Sequence, residues 1–488
     1  MRITPSTHYQ YERIKPDDDC MHEECGVFGI YMEDDVYDPA EAAYLGLYAL
    51  QHRGQESAGI ASVVKDDIRL YKGMGLCAEV FKNDLDRLYG GRIAIGHVRY
   101  STTGDSQVLN AQPLVMSYRG GKMAIAHNGN LVNTDVLRKK LEDDGAIFQT
   151  TLDTEVMAYL LAKNAKDGMV ESIKKMMEVV KGSYALVITT NDTLIGVRDP
   201  QGIRPLALGR LDDNFVLASE SCAFDTIDAE FIRDVRPGEI VVINKDGFHS
   251  YQTSLSLDTA LCIFEYVYFA RPDSDIDGIS VYRARENMGR RLAQAYPVEA
   301  DLVGGVPDSA TPAAVGYAEE SGIPFKKALA KNRYVGRTFI QPKQSLRDRA
   351  VKLKLNAMKR NVHGKKIILI DDSIVRGTTS RKIVEMLRLA GAREVHMQIS
   401  SPPVTCPCYF GIDTPSHDQL MGAKNSVEEM RKIIGADTLN FLTKEDLLKT
   451  VEGAGCNFCT GCFDGHYPVD IKKACAQTQK LDLTQVFK

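Results

Sequence analysis

Four apolar residues, Ile367 to Ile370, run directly into Asp371-Asp372-Ser373-Ile374-Val375-Arg376-Gly377-Thr378-Thr379, and a helical pattern from Ser380 to Ala390 closes on Gly391. The same order of strand, loop and helix occurs earlier, as Asp301 to Val306, the turn Pro307-Asp308-Ser309 and a helical stretch from Thr311 to Gly322. Strands separated by helices of this length need crossover connections, which predicts a parallel sheet for this half of the chain. Ligands of such sheets collect beyond the carboxyl ends of the strands, where the 371–379 loop falls.

The composition of that loop narrows the ligand. Asp371 and Asp372 at a strand end can hold a hydrated Mg2+ or sugar hydroxyls, while Arg376-Gly377-Thr378-Thr379 offers hydroxyl and backbone N–H donors at a helix N-terminus. An ordinary capped helix would use one Asp or Ser and leave the second acid, Gly377 and both threonines without a task. Acid beside an anion cradle describes a sugar phosphate. Between Lys326 and Lys366 stand fourteen Lys or Arg and one acid, Asp348, in a chain whose 60 basic and 65 acidic residues give a net charge of −5. That segment reads as a basic flap over a small polyanion, and the negative total gives no reason to expect nucleic acid or a membrane surface as partner.

Residues 25–257 have another rhythm. Short β-type runs dominate, among them Cys25 to Tyr31, Arg92 to Tyr100, Lys122 to His127, Ala185 to Thr189 and Glu239 to Ile243, with amphipathic helical stretches near 40–50 and 153–181. This pattern predicts an α+β domain of stacked sheets. A length of 488 residues suggests about three domains or two large ones, and the change of rhythm near 258–280 favours two. Residues 1–24 are polar, carry no hydrophobic period and read as a tail. No run approaches the roughly 18 apolar residues of a membrane span, and the N-terminus lacks a signal-peptide core, so the expected compartment is the cytoplasm. There the eleven cysteines are expected as thiols, metal ligands or catalysts and not as disulfides.

The 371–379 loop matches the phosphoribosyl-pyrophosphate (PRPP) motif of type I phosphoribosyltransferases. With Asn332-Arg333-Tyr334-Val335-Gly336-Arg337-Thr338-Phe339-Ile340, it makes the chain from Cys25 to about Pro468 resemble the glutamine PRPP amidotransferase family, which opens purine synthesis. The resemblance implies an α+β N-terminal-nucleophile (Ntn) glutaminase sandwich over 25–257, followed by an α/β type I phosphoribosyltransferase domain with a parallel sheet over 258–470. Residues 1–24 become a propeptide and 471–488 a C-terminal tail. It further implies that Thr378 and Thr379, with the Arg376-Gly377 backbone, cradle the 5-phosphate, and that Asp371 and Asp372 hold ribose hydroxyls or Mg2+. Ser309 matches a further metal-site residue beside the pyrophosphate, and Lys331, Arg333 and Tyr334 look like flap contacts to PRPP.

Cys25 read alone is a buried core cysteine. If the peptide bond after Glu24 is cut, the new α-amino group, with a pKa of about 7.7 to 8, becomes the base that activates the Cys25 thiol. Residues 25–31, 51–59, 96–102 and the run His127-Asn128-Gly129-Asn130 resemble the class II glutamine amidotransferase domain. The resemblance implies Cys25 as nucleophile, the Asn128 amide and the Gly129 N–H as oxyanion hole, Arg99 on the glutamine α-carboxylate and Asp153 on its α-ammonium.

Cys456, Cys459 and Cys462 form a C-x2-C-x2-C run, a metal or cluster signal without the fourth nearby cysteine of a ferredoxin-type run. The segments around Cys262 and Cys408 resemble the propeptide-bearing iron-sulfur branch of the family, which implies Cys262, Cys408, Cys459 and Cys462 as ligands of a structural [4Fe-4S] cluster. Spacing alone suits Zn2+ equally, and Cys406 and Cys456 are extra thiols beside the implied ligands. The resemblance also implies glutamine and PRPP as substrates, AMP and GMP as feedback inhibitors, and a homotetramer. Three other readings explain less. An amidotransferase making an amino sugar or asparagine would lack the 371–379 loop, a PRPP-sensing regulator would carry a DNA-binding module in place of the glutaminase, and a structural iron-sulfur or zinc protein would leave both motifs without use.

Overall fold

The computed structural model describes residues 25–33, 37–100, 107–253, 258–332, 355–414, 416–481 and 483–486. The expected propeptide and the flap residues Arg333 and Tyr334 lie outside the described residues.

In the first half, alternating side chains along extended runs build two stacked antiparallel sheets, as expected. The seven-stranded sheet has the spatial order Glu230–Asp234, Ala207–Leu211, Asn214–Ala218, Gly26–Tyr31, Ile93–Arg99, Ser57–Val64 and Asp67–Met74. The six-stranded sheet runs Gly247–Gln252, Glu239–Asn244, Leu194–Arg198, Gly182–Thr189, Gly121–Leu131 and Leu114–Tyr118. Period-2 alternation assigns the faces. Val27 and Tyr31 pack toward Ala126, Ala185 and Val187 between the sheets, while Phe28 and Ile30 turn outward to Ala43 and Leu47 of the helix Pro39–Ala49.

The outer face of the second sheet is covered by Thr134–Asp143, Asp153–Lys163 and Met169–Val179. The helical stretch expected over 153–181 is therefore two helices, separated by Asn164, the 3-10 turn Ala165–Asp167 and Gly168, which takes φ +88°. The helix Thr134–Asp143 was not expected, since only Leu137 and Leu141 mark its buried face among charged neighbours.

The second half carries the expected parallel sheet, in the order Leu302–Gly305, Lys366–Asp371, Glu394–Ile399 and Thr438–Phe441. Helices Thr311–Ser321 and Thr378–Leu389 follow the first two strands. The second helix begins two residues before the predicted Ser380, which brings both threonines into its first turn.

Within the second half, Leu261–Cys262, just past the boundary, pairs in parallel with Phe458–Cys459 near its end. Beyond it, the helix Ile471–Lys480 packs against the first half, where Asn133 Nδ2 donates to Thr478 Oγ1 at 2.9 Å and Lys140 Nζ to the Leu481 carbonyl at 2.6 Å. Leu483 is buried in the core beneath the helices of that first half. Among the described residues no helix is long and apolar enough to cross a membrane.

Two candidate active sites and a cysteine group

Gly26 stands opposite Val98, so Cys25 lies where Arg99 and Tyr100 leave the neighbouring strand. Its Sγ is 3.6 Å from the Tyr100 carbonyl oxygen. Burial pushes the thiol up to about 11, with the positive charge of Arg99 opposing and Glu56 and Asp153 adding to the rise. Arg99 itself is buried, with Nη1 3.7 Å from Glu56 Oε1. Cys25, Arg99 and Asp153 are thus brought within electrostatic reach of one another.

Asn128 and Gly129 sit near the end of the strand Gly121–Leu131. The Asn128 side chain is buried and its Nδ2 has no hydrogen-bond partner among the described residues. Gly129 takes φ +145°, and a Cβ there would lie 2.2 Å from the Ser183 carbonyl oxygen, so only glycine fits. Asp153, in the first turn of Asp153–Lys163, accepts the Leu131 N–H at 3.0 Å and stands 3.4 Å from His127 Nδ1. Burial alone would raise its carboxyl, but His127 and the Leu131 and Thr154 amides outweigh burial and hold it below the usual range.

Sequence reasoning missed the residues behind Cys25. Arg53 is buried, donates Nε to the Cys25 carbonyl at 3.1 Å, and pairs with Glu220 at 2.5 Å and Glu265 at 2.8 Å. Arg53 lay within the quoted 51–59 segment, and Glu265 is the single acid in the run Ile263 to Phe269, a signal that such an acid is paired. Glu220 carried no signal.

At the parallel sheet, Ser309 Oγ donates to Asp372 Oδ2 at 2.5 Å and Ser373 Oγ to Asp372 Oδ1 at 2.8 Å. Burial raises the Asp372 carboxyl, opposed by those two hydroxyls and by the charge of Arg285. Asp371 Oδ1 accepts the Asp372 N–H at 3.0 Å, so Ser309, Asp371 and Asp372 are linked hard-oxygen groups that could hold Mg2+. Lys331 Nζ pairs with Asp308 Oδ2 at 2.8 Å beside them. Gly377 takes φ +79°, and a Cβ there would lie 2.3 Å from Met421 Sδ, so both the backbone and the space call for glycine. The turn leads Thr378, exposed, and Thr379, half-buried, into the N-terminus of a 12-residue helix, while Arg376 Nη2 donates to Gln419 Oε1 at 3.0 Å.

Cys262 stands opposite Cys459 in the short parallel ladder. Burial first, and then the neighbouring thiols, raise three members of the expected set: Cys459 and Cys408 act on Cys262, Cys408 acts on Cys459, and Cys459 and Cys408 act on Cys462. Cys456 is different. Its Sγ lies 3.5 Å from Asp277 Oδ2, and its charged neighbours are Asp277, Arg198 and Asp234. Among the described residues no three His, Cys, Asp or Glu side chains are already arranged to hold a metal ion. The donor chemistry still fits a thiophilic centre, because a bound metal lets crowded thiols ionise.

Residues 97–226 match the family described as "Glutamine amidotransferase domain". The chain is 50% identical to the amidophosphoribosyltransferase of Bacillus subtilis, over 92% of this chain and 95% of that one. It is 51% identical to that of Archaeoglobus fulgidus, over 92% and 98%. The solved glutamine PRPP amidotransferase of B. subtilis, complexed with ADP and GMP, superposes with a TM-score of 0.86 at 50% identity, covering 92% of this chain and 98% of that one. An Ntn-type glutaminase sandwich, a type I phosphoribosyltransferase sheet and relatives of this identity along nearly the whole length lead to one conclusion: the chain belongs to the amidophosphoribosyltransferases, which move the amide nitrogen of glutamine to PRPP in the first committed step of purine synthesis.

Proposed function

We propose that the two sites work in series. Cleavage after Glu24 frees the Cys25 α-amino group, which takes the thiol proton. The thiolate then attacks the glutamine side-chain amide, giving a γ-glutamyl thioester and ammonia, and water later releases glutamate. Asn128 Nδ2 and the Gly129 N–H receive the developing oxyanion, while Arg99 and Asp153 hold the α-carboxylate and α-ammonium. Ammonia passes within the protein to the second site, forms a bond to C1 of PRPP and displaces pyrophosphate, giving 5-phosphoribosylamine.

In that second site Arg376, Gly377, Thr378 and Thr379 bind the 5-phosphate, and Lys331, Arg333 and Tyr334 contact PRPP from the flap. Ser309, Asp371 and Asp372 hold Mg2+, which when bound neutralises charge on the leaving pyrophosphate. Cys262, Cys408, Cys459 and Cys462 hold a [4Fe-4S] cluster with a structural task at the junction of the halves. The position of Cys262 opposite Cys459, and the electrostatic influence of Cys408 on Cys262, Cys459 and Cys462, support this set over one that includes Cys456, whose thiol faces Asp277. The ADP and GMP of the B. subtilis structure support purine nucleotides, AMP and GMP among them, as feedback inhibitors. We further assign a homotetramer acting in the cytoplasm.

The observation that carries the glutaminase reading is the buried Asn128 Nδ2, a donor with no acceptor among the described residues. Pyrophosphate release from PRPP tests it. Cys25→Ala should abolish the glutamine-dependent rate and keep the ammonia-dependent rate, and Asn128→Ala should cut the first by about 10²–10³. Loss of both rates in Cys25→Ala, or of neither, rejects the two-site assignment.

A further inference from the structure

The chemistry above leaves without a task the buried ion network of Arg53, Glu220, Glu265 and Arg204, whose side chains are sealed from solvent. Arg53 binds the Cys25 carbonyl through Nε and reaches Glu265 with both terminal nitrogens, at 3.0 and 2.8 Å. Glu265 belongs to the second half. It opens the short turn Glu265–Phe269, which Arg285 braces by donating Nε to the Tyr266 carbonyl at 2.7 Å and Nη2 to the Ala270 carbonyl at 2.8 Å.

Arg204 extends the network. Its Nη1 stands 3.6 Å from Glu265 Oε1, and its Nη2 donates to the Phe410 carbonyl. The same carbonyl accepts the Ser183 hydroxyl at 2.8 Å, and the Tyr409 carbonyl accepts Asn130 Nδ2 at 2.9 Å. Ser183 pairs with Asn130 across the ladder, one residue beyond Gly129. Gly411 lets this loop approach the strand, since a Cβ there would lie 3.1 Å from the Gly129 carbonyl carbon.

We propose that Glu265 and the Tyr409-Phe410 backbone are positioning elements for glutamine hydrolysis. The second half grips the nucleophile's backbone through Arg53 and the oxyanion strand through Ser183 and Asn130, and Arg204 ties the two grips together. A buried charge network is tolerated only in a well-formed geometry, so it resists displacement. A shift of about 1 Å between attacking group and oxyanion donors is enough to cost about 10²-fold in rate. The inference rests on Cys25 as nucleophile and on Asn128 and Gly129 as oxyanion hole.

Glu265→Gln in the full-length protein tests it, since the side chain keeps its shape and loses its charge. Glutamine-dependent kcat should fall about 10²-fold. KM for glutamine and the ammonia-dependent rate should stay within about twofold, the split expected when positioning and not binding is lost. Ser183→Ala should act in the same direction, and the double variant should be no worse than Glu265→Gln alone, because both act through one network. If Glu265→Gln does not fold, Ser183→Ala and Arg204→Lys carry the same kcat-against-KM test. Parallel loss of the glutamine- and ammonia-dependent rates, or effects that multiply in the double variant, overturns the proposal. Cys25→Ala in the same assay separates the two readings: retained glutamine-dependent synthesis there rejects the nucleophile itself. Its loss, together with a wild-type rate in Glu265→Gln, rejects only the positioning role.

Discussion

Ser309 and Asp372 come from successive strand-loop-helix units, yet the Ser309 hydroxyl donates to Asp372 Oδ2 at 2.5 Å and ties the two loops at the sheet's carboxyl edge. A hydrogen bond to a charged group contributes about 1.5–3 kcal/mol, which is roughly tenfold to a hundredfold in an equilibrium. Ser309→Ala should therefore raise the Mg2+ concentration needed for half-maximal pyrophosphate release by about tenfold. Asp372→Asn should lower the release rate itself, with ammonia and glutamine alike. Magnesium titrations of both variants check this, and an unchanged requirement in Ser309→Ala removes that residue from the metal site.

With its thiol pushed up to about 11, Cys25 of the unprocessed chain is almost wholly protonated at neutral pH. Its thiolate fraction grows about tenfold per pH unit below that value. Alkylation of Cys25 by iodoacetamide, followed by peptide mass spectrometry, should accelerate across the whole range from pH 7 to 10 in the unprocessed protein. In the processed protein the rate should be higher at pH 7 and level off near the α-amine range, at about 8. Identical profiles for the two forms would show that the amine does not serve as base.

The environment of Cys456 separates it from Cys262, Cys459 and Cys462, for its thiol faces Asp277 3.5 Å away. Cys459→Ser should abolish bound iron and sulfide and lower the thermal midpoint, while Cys456→Ser should keep the full metal content. Removing a structural metal site costs much of a domain's stability, so the loss in Cys459→Ser should be visible as unfolding at a lower temperature. Zinc in place of iron and sulfide in the purified protein would reject the cluster while leaving the ligand set intact.

Legibility in the sequence tracked how locally a feature is specified. The 371–379 loop was readable because strand, acids, glycine and threonines follow one another within one turn, and the structure moved only the helix start, to Thr378. Asn128 and Gly129 were readable as adjacent residues of a recurrent run. Arg53 was not, because an arginine becomes a buried anchor only when Glu220 and Glu265, 167 and 212 residues away, arrive beside it. The break between Lys163 and Met169 was missed for the opposite reason: apolar periodicity continues on both sides of a short segment whose backbone has left the α-helix.

The return of the chain to its first half has a consequence for synthesis. Leu483 fills part of the core beneath the amidotransferase helices, and Thr478 takes up an amide hydrogen of Asn133. Translation delivers both only after residues 258–470 have left the ribosome. Until then the apolar surface that receives Leu483 is uncovered, while Asn133 keeps only its bonds within the first half, to the Val179 carbonyl and the Lys181 N–H. The packing of the first half is thus completed by residues that follow the second half in the chain.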